Sequence, residues 1–180
     1  MERKLEQDLH SIIADCTTGN RKAQEHLFRQ MYPFAMSIAM RYSRDEQDAA
    51  DILSHAFIKL FKSITSFDAN KGSLHSWLKR IVINEALDHI KQRSRFCSEE
   101  LDEVNDPGIP NSIIEKTDAD QIMRLIKQLP PATHAVFTLF AIEGYGHKEI
   151  AQQLGISEGT SKWHLSEARK TLQQKLSGKN

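Results

Sequence analysis

The stretch GHKEIAQQLGISEGTSKWHL, residues 146–165, determines the fold of the C-terminal part of the chain. Within it Ile150 and Leu154 fall on one face of a short helix, and Gly155 can adopt the left-handed conformation that ends a helix. Ser157 is a good N-cap for a second helix. This order predicts a helix-turn-helix, in which the second helix fits the major groove of DNA. The alternative is a helical hairpin that only packs.

The second helix of this motif has two faces of different chemistry. At helical spacing its inward face carries apolar or small residues: Leu165, Ala168, Leu172 and Leu176. The opposite face carries Trp163, Ser166, Glu167 and Lys170. Thr160 and Lys162 come near the start of the helix, where backbone N–H groups and the helix dipole favour a phosphate. We therefore expect the helix to pack on one side and to face nucleic acid on the other.

Length and composition limit the classes of protein that this chain can form. Its 180 residues suffice for one domain or two small ones, and 24 basic against 24 acidic residues give no overall sign of a nucleic-acid partner. Cys16 and Cys97 lie far apart and the eight His residues show no ligand spacing, so we predict no disulfide framework, metal site or cofactor. No apolar run reaches membrane-spanning length, and the polar start, Met-Glu-Arg-Lys, is unlike a signal peptide. These features predict a reduced, cytoplasmic protein.

Helical periodicity extends over most of the remaining chain. Apolar residues recur at helical spacing around residues 27–39, 49–61 and 74–90. Ser43-Arg-Asp-Glu46 has the pattern of a capping box that opens the second of these helices, and residues 65–73 form a loop before the third. No alternating strand pattern is visible in the sequence, so an all-α fold is predicted.

The balance of charge changes sign after the third helix. Residues 79–95 include five basic and two acidic side chains, whereas residues 96–120 include eight acidic side chains and one basic one. With Pro107, Gly108 and Pro110, this composition predicts a flexible acidic linker. We therefore predict two small helical domains, residues 1–95 and 118–180, joined by residues 96–117.

The second predicted domain opens before the helix-turn-helix. Thr117 can cap a helix whose apolar residues are Ile122, Leu125, Ile126 and Leu129. Pro130-Pro131 ends that helix and starts the next, which is predicted to run to Ile142.

The order and spacing of these motifs resemble those of an extracytoplasmic-function (ECF) sigma factor, a compact member of the sigma-70 family of bacterial RNA polymerase sigma factors. Residues 48–57, DAADILSHAF, resemble the helix that binds core polymerase, and residues 76–88, SWLKRIVINEALD, resemble the helix that melts the promoter and reads the upstream −10 element. Leu129-Pro130, Glu143-Gly144, Glu149-Ile-Ala and Gly159-Thr160 resemble the domain that reads the −35 element. The resemblance covers residues 22–95 and 118–176.

The resemblance assigns polymerase binding to the first motif. Asp48 and Asp51 are carboxylates one turn apart, suited to basic side chains on a partner helix, and Phe57 either anchors the same contact or fills the core. The alternative for both aspartates is a solvated helix face. Ser54-His55 replaces a Gln-Glu pair that is frequent in the family, which changes the detail of the contact but not its expected location.

For the −10 element, the resemblance implies a loop and the helix that follows it. The loop Asp68-Ala-Asn-Lys-Gly-Ser73 resembles one that captures a flipped base, and opened bases stack on aromatic rings while cations contact phosphates. Trp77 supports this junction or, as is more frequent for Trp at helical spacing, packs in the core. The expected −10 contacts are Asn70, Lys71, Trp77, Lys79, Arg80, Asn84, Asp88, Lys91 and Arg93.

For the −35 element, the resemblance implies contacts from the second helix of the helix-turn-helix. The expected residues are Thr160, Lys162, Trp163, Ser166, Glu167, Arg169 and Lys170. Glu167 stands where a basic residue is common in relatives, and a carboxylate there can accept from cytosine N4. Ser161 replaces a usually apolar residue, which predicts slightly looser packing.

The function that the resemblance implies is transcription initiation by a protein that is not itself an enzyme. Its expected partners are core RNA polymerase, promoter DNA and an anti-sigma factor, with no membrane, and the acidic linker would pass through the polymerase channel that later holds RNA. A response-regulator-type activator would share the helix-turn-helix but should carry an α/β receiver or ligand domain, and residues 1–95 show no strand pattern. A protein-interaction adaptor would need neither the basic helix end nor the groove-facing residues.

Overall fold

The computed structural model describes residues 11–99 and 118–177, with backbone alone at residues 93–99 and 118. Every regular element within these ranges is a helix, which confirms the predicted all-α class. Contacts divide the chain into two units, Met1–Ala86 and Leu87–Asn180. Most of the predicted linker and the predicted cap at Thr117 lie outside the described residues. None of the described helices is long and apolar enough to cross a bilayer.

After a helical segment over residues 11–17, the first unit is built on three longer helices: α1 (Arg21–Tyr42), α2 (Glu46–Ser63) and the start of α3 (Leu74–Glu99). Their apolar stripes are buried, among them Leu27, Met31, Ala35, Ile38, Ile52, Leu53, Ala56, Leu60, Leu74, Leu78, Val82 and Ile83. The ring of Phe34 on α1 meets His75 on α3 edge-on, with centroids 4.9 Å apart. An ion pair between Lys59 and Glu85 ties α2 to α3. The three predicted helices are therefore confirmed, and their stripes form one core.

The turn between α1 and α2 differs from the predicted capping box. Ser43 ends α1 instead of opening α2, because its N–H donates to the carbonyl of Ala39 at 3.0 Å. Asp45 opens α2, since its Oδ1 accepts from the N–H of Asp48 at 2.8 Å. The predicted box at Ser43–Glu46 was wrong because Ser43 is buried and already bonded to the preceding helix.

The segment between α2 and α3, predicted as a loop, contains two single turns of 3-10 helix, Ile64–Ser66 and Ala69–Lys71. The Oδ1 of Asp68 accepts from the N–H of Asn70 at 3.0 Å. The Oγ of Ser73 accepts from the N–H of Ser76 at 3.2 Å, which caps the start of α3. These local hydrogen bonds give the segment a defined geometry.

The second unit contains α4 (Asp118–Lys127), α5 (Pro131–Phe137), α6 (His147–Leu154) and α7 (Glu158–Ser177). A π-helical segment, Thr138–Ile142, follows α5 directly. Pro131 occupies the first turn of α5, where its fixed φ suits a helix and its missing N–H is not needed. The predicted break at Pro130-Pro131 is confirmed.

The helix-turn-helix is formed by α6 and α7. Gly155 ends α6 at φ 70°, in the left-handed region, and its N–H donates to the carbonyl of Ala151 at 2.9 Å. The Oγ of Ser157 accepts from the N–H of Thr160 at 3.0 Å and so caps α7. Both local predictions are confirmed, since each depends only on residues within one turn of the helix end.

The core of the second unit includes Ile126, Leu129, Val136, Leu139, Ile150, Leu165, Ala168 and Leu172. Two residues of the predicted apolar stripes of this unit are exposed: Leu176 is 53% exposed and Ile122 is 47% exposed. Each lies one turn beyond the last buried residue of its stripe, where the helix extends past the packed core. Their predicted inward positions were therefore wrong, although the helical phase was right.

Candidate nucleic-acid and partner-protein interfaces

The face of α2 that points away from the core is polar except at one position. We call it the α2 outer face; it consists of Gln47, Asp51, Ser54, His55, Ile58 and Lys62, all exposed. Ile58 has 51% of its surface accessible and lies about two turns beyond Asp51 on the same side of the helix. A carboxylate and an exposed aliphatic side chain on one helix face can bind a protein partner that offers a cation beside an apolar surface.

Asp48 and Asp51 occupy different environments despite their close spacing. The Oδ2 of Asp48 lies 3.2 Å from Nε of Arg44, and the Asp48 side chain is 16% exposed. Asp51 is exposed, and its Oδ1 accepts a 3.4 Å hydrogen bond from the side chain of Gln47. Asp48 therefore holds the start of α2, whereas the carboxylate of Asp51 is accessible to a partner.

Phe57 lies inside the first unit. Its side chain is 4% exposed and its ring centroid is 4.6 Å from that of Phe28 on α1. Phe28 in turn contacts Tyr32, with centroids 5.3 Å apart. Of the two roles considered for Phe57, the geometry favours packing, while Ile58 beside it presents apolar surface to solvent.

The loop before α3 and the first turn of α3 form a small polar cluster around one aromatic pair. Asn70 and Lys71 are exposed, and Nζ of Lys71 lies 3.7 Å from the carboxylate of Asp68. Trp77 is half-buried, with its ring centroid 5.3 Å from that of Phe67. Part of the indole therefore packs on Phe67, and part remains accessible to solvent.

Along α3, most of the predicted −10 residues share one face. Trp77, Arg80 and Asn84 follow at three- and four-residue spacing, and Arg80 and Asn84 are exposed. Exposed Asp88 and half-buried Lys91 continue that spacing farther along the helix. Lys79 is half-buried and lies off this face, and the side chain of Arg93 is outside the described residues. The helix thus offers an amide, an aromatic edge and a cation in one line.

The outward face of α7 presents most of the predicted −35 residues. Trp163 is 59% exposed, and Lys162, Ser166 and Lys170 are exposed as well. Glu167 is half-buried on one flank of this face. Thr160 is half-buried, and its hydroxyl lies 2.8 Å from that of Ser157 in the cap. A bulky aromatic, a hydroxyl and a cation therefore project together from the side opposite Leu165 and Ala168.

Arg169 lies on the other flank of α7. Its guanidinium sits 5.9 Å from the centre of the Phe140 ring, the ring of the π-helical segment, and the side chain itself is exposed. Cation–π contact of this kind contributes about 0.5–1 kcal/mol at exposed sites. Arg169 is thus both an exposed cation on the flank of the outward face and a contact between α7 and the π-helical segment.

Two polar contacts between helices hold the inner side of α7. The Nδ1 of His147 lies 2.9 Å from the Oγ of Ser161, and the Nδ1 of His164 lies 3.0 Å from the Oγ1 of Thr133. Burial lowers the pKa of His164 below its ordinary value, because desolvation disfavours the charged imidazolium. Ser161 and Thr133 are both buried. Ser161 is therefore fully buried and hydrogen-bonded to a residue of another helix.

Two positions of interest were not identified from sequence. Ile58 was passed over, although an apolar residue that falls off the buried stripe of its helix is a recognisable signal. His147 gives no such signal, because its partners Ser161 and Phe140 lie on other helical elements. Within the described residues, no group of three or more His, Cys, Asp or Glu side chains could hold a metal ion.

Two family models match the chain. The model of sigma-70 region 2 matches residues 27–96, and the model of sigma-70 region 4 matches residues 119–172. Together they cover about two thirds of the 180 residues. The first match includes α2 with its outer face and the start of α3, and the second includes the whole helix-turn-helix.

Related proteins match over most of the chain. It is 29% identical to the ECF RNA polymerase sigma factor SigE of Mycolicibacterium smegmatis, over 88% of this chain and 65% of that protein. It is 28% identical to the ECF sigma factor SigM of Mycobacterium tuberculosis, over 92% of this chain and 83% of that protein. The ECF sigma-E factor of Escherichia coli is 25% identical over 92% of each chain.

Two solved structures share the fold at low sequence identity. One is the sigma factor RpoE of Bartonella quintana, crystallised with the anti-sigma factor NepR, with a TM-score of 0.55 and 21% identity over 87% of this chain and 98% of that chain. The other is CnrH in complex with the cytosolic domain of CnrY, with a TM-score of 0.50 and 20% identity over 94% of this chain and 97% of that chain. These likenesses concern the arrangement of helices.

Proposed function

Because the chain belongs to the extracytoplasmic-function class of the sigma-70 family, we propose that it binds core RNA polymerase through the α2 outer face and directs the enzyme to promoters through α3 and α7. The family consists of transcription initiation factors, and the chain has no catalytic activity of its own in this proposal. The observation that carries the proposal is that the two family matches contain the three exposed helix faces, those of α2 and α3 in the first match and that of α7 in the second. A protein with these partners acts in the cytoplasm.

Core polymerase binding rests on Asp51 and Ile58. The accessible Asp51 carboxylate would pair with a basic side chain of polymerase, while Ile58 buries its exposed surface against the same partner. Asp48, which already pairs with Arg44, would act by holding the start of α2. Ser54 and His55, between these two positions, make the contact less acidic than in relatives that carry a Gln-Glu pair.

The test of this face is charge reversal. We expect Asp51→Arg to weaken binding of the full-length chain to core polymerase by about tenfold or more, because like charges placed together at an interface are strongly unfavourable. Glu25→Arg on α1 is the matched control, since Glu25 is also an exposed helical carboxylate. Equal binding by the Asp51 variant and the control, at unchanged thermal stability, would place the interface elsewhere.

We assign the −10 element to the face of α3 that carries Trp77, Arg80 and Asn84, and to the loop that precedes this helix. Opening a duplex exposes bases that can stack on an aromatic edge, and Trp77 offers one beside exposed Asn70 and Lys71. Arg80, with Lys91 and Arg93 farther along, would contact phosphates, which position the helix without reading sequence. Asn84 and Asp88 would read the upstream bases of the element.

The −35 element is assigned to the outward face of α7. Trp163, Ser166 and Glu167 would meet base edges, while Thr160 and Lys162 would hold a phosphate at the start of the helix and Lys170 and Arg169 would add phosphate contacts. We expect Glu167→Arg to change the preferred −35 base, since each good side-chain–base contact discriminates by about 1–3 kcal/mol. Lys170→Ala should weaken all promoters alike, and Gln174→Ala, one turn farther on, should change neither property.

These variants are best compared as holoenzymes on a library of promoters randomised at the −35 element. The sequences that each holoenzyme selects report base preference, and the yield at fixed protein concentration reports affinity. If the Glu167→Arg holoenzyme selects the wild-type consensus, then Glu167 does not contact a base, and the proposed base-contacting face of α7 is wrong.

Run-off transcription separates the proposal from its alternatives. A sigma factor makes core polymerase initiate at specific promoters with no other factor present. A response-regulator-type activator would stimulate only a polymerase that already carries another sigma factor, and an adaptor would do neither. The sigma-70 region 2 match over the first unit and the wholly helical described residues do not favour the activator.

An anti-sigma factor is the third proposed partner. Both solved structures of like fold are complexes, and the RpoE structure names its partner as an anti-sigma factor. An inhibitor of this chain would need to cover surfaces that polymerase uses, and the α2 outer face is one of them. Co-expression with a candidate inhibitor should then remove binding to core polymerase, and Asp51→Arg should weaken both complexes.

A further inference from the structure

The inward side of α7 contains a fully buried hydroxyl. Ser161 has none of its surface accessible and lies on the same side of the helix as Leu165 and Ala168. Burying a hydroxyl without a partner is unfavourable, so such a group needs a defined hydrogen bond. The Nδ1 of His147, the first residue of α6, supplies it at 2.9 Å.

The imidazole of His147 is held by ring stacking as well as by its hydrogen bond to Ser161. Its ring stacks on that of Phe140, with centroids 4.7 Å apart and an angle of 24° between the planes. Phe140 belongs to the π-helical segment, an element that is often found where a side chain must be placed for function. A ring fixed by stacking and by a directional hydrogen bond has little freedom to rotate.

The same Phe140 ring also contacts Arg169. Ser161 and Arg169 are about 12 Å apart along α7, at 1.5 Å of rise per residue, and Lys162, Trp163 and Ser166 lie between them. Together with the buried side chains of Leu165 and Ala168, two attachment points separated in this way restrain both the direction of the helix axis and its rotation about that axis. A small rotation of α7 would move every base-facing side chain together.

We propose that His147 is a positioning residue for promoter recognition, which acts through Ser161 and Phe140 to set the orientation of α7. The proposal rests on the proposed role of α7 in reading the −35 element. His147 does not touch DNA in this scheme. Its effect is on which base edges Trp163, Ser166 and Glu167 reach.

The experiment compares holoenzymes carrying the full-length wild-type chain, His147→Ala, Ser161→Ala and the double variant on the −35 library. Losing one buried hydrogen bond should lower the ratio of consensus to scrambled −35 binding by about 3- to 10-fold. The double variant should lose no more than the worse single variant, because both remove the same interaction. The selected consensus should broaden at several positions together.

Two further variants distinguish positioning from general stability. His147→Asn keeps a hydrogen-bonding atom near the place of Nδ1 and should recover part of the base preference, although the stacking on Phe140 is lost. Lys148→Ala, at the exposed next position of α6, should leave base preference unchanged. A protein that is merely less stable would lose active holoenzyme without changing the consensus of the remainder.

The outcomes separate this inference from the proposed function. If the wild-type holoenzyme selects no −35 sequence, then α7 does not read that element and the proposed function fails. If the wild type selects a consensus that His147→Ala and Ser161→Ala retain, the positioning role is refuted while the proposed function stands. Losses that multiply in the double variant would also refute it, because the two residues would then act independently.

Discussion

The two units of the protein differ in what lies inside them. In the described part of the first unit, the buried side chains are apolar except for Ser43 and Glu85. In the second unit, Thr133, His134, Thr138 and Ser161 are all buried among a smaller set of apolar residues. The first unit is therefore held mainly by apolar packing, and the second by packing together with directional polar contacts.

This difference suits the tasks proposed for α2 and α7. Apolar contacts favour burial but are not directional, so they make a stable support for a helix whose outer face binds a protein. Hydrogen bonds have preferred distances and angles, so they favour one orientation of a helix. Reading base edges requires such an orientation, and the inner side of α7 is where the bonds from His147 and Thr133 occur.

The largest expected effect is a loss of folding stability in the first unit. Leu60→Ala removes a fully buried side chain of α2 and should lower the free energy of unfolding by about 2–5 kcal/mol. Ile58→Ala, on the same helix but half exposed, should change it by only about 0.5 kcal/mol. Denaturant unfolding followed by Trp77 fluorescence in a Trp163→Phe background measures this unit. Equal losses would mean that Ile58 is covered in solution.

The next effect concerns Glu85, the buried charged residue of the first unit. Lys59→Ala leaves the buried Glu85 carboxylate without that cation and should cost about 1–3 kcal/mol, as expected for an unsatisfied buried acceptor. Replacing both residues by apolar ones should recover much of the loss. The control is Lys62→Ala, an exposed lysine of the same helix. The same Trp77 assay applies, and a cost no greater than that of the control would show that the ion pair contributes little.

A smaller effect tests the polar contacts of the second unit. Thr133→Val keeps the shape of a buried side chain but removes its hydroxyl from His164, which should cost about 0.5–1.5 kcal/mol. Trp163 fluorescence in a Trp77→Phe background measures it, since the Trp163 ring lies against His164 with centroids 4.8 Å apart. Thr171→Val, a half-buried position on the same helix as His164, is the control. An unchanged unfolding midpoint for Thr133→Val would show that the hydrogen bond between Thr133 and His164 does not stabilise the second unit.

The smallest effect is a dependence of the second unit on pH. The pKa of His164 is lowered in the folded chain by desolvation, so the unfolded chain binds its proton first as pH falls. The stability that the neutral imidazole contributes is therefore complete above the unfolded pKa of about 6.5 and is lost as pH falls through the folded value. His164→Asn should reduce the change in the unfolding midpoint between pH 7.5 and pH 5.5, as followed by Trp163 fluorescence. An identical slope in both proteins would assign the dependence to other groups.

Much of the fold could be predicted because the signals are local. Gly155 and Ser157 mark the turn of the helix-turn-helix, and Pro131 marks the start of α5, each through conformations set within a few residues. The helix cap at Asp45 was missed because two candidates lie close together, and the burial of Ser43 decided between them. The exposed ends at Ile122 and Leu176 were missed because periodicity shows the side of a helix but not how far its neighbours extend.

The candidate sites divide in the same way. The helices that carry them, α2, α3 and α7, and the phase of their outer faces follow from the spacing of apolar residues alone. The aspartate pattern by itself left Asp48 and Asp51 equivalent as candidate contacts for polymerase, and the local turn before α2 separates them by placing Arg44 against Asp48. It likewise left two roles open for Phe57, which the contact with Phe28 from another helix decides in favour of packing.

By itself, the amino-acid sequence determined the helical class, the helix-turn-helix and the sides of the helices that face outward, since periodicity and capping act over one or two turns. Three contacts follow only from the tertiary structure: the hydrogen bond between Ser161 and His147, the stacking of His147 on Phe140, and the cation–π contact of Arg169 with the same ring. These partners lie on different helical elements, and no periodicity within one element relates them. Burial and hydrogen bonding between helices depend on which neighbours the fold brings together.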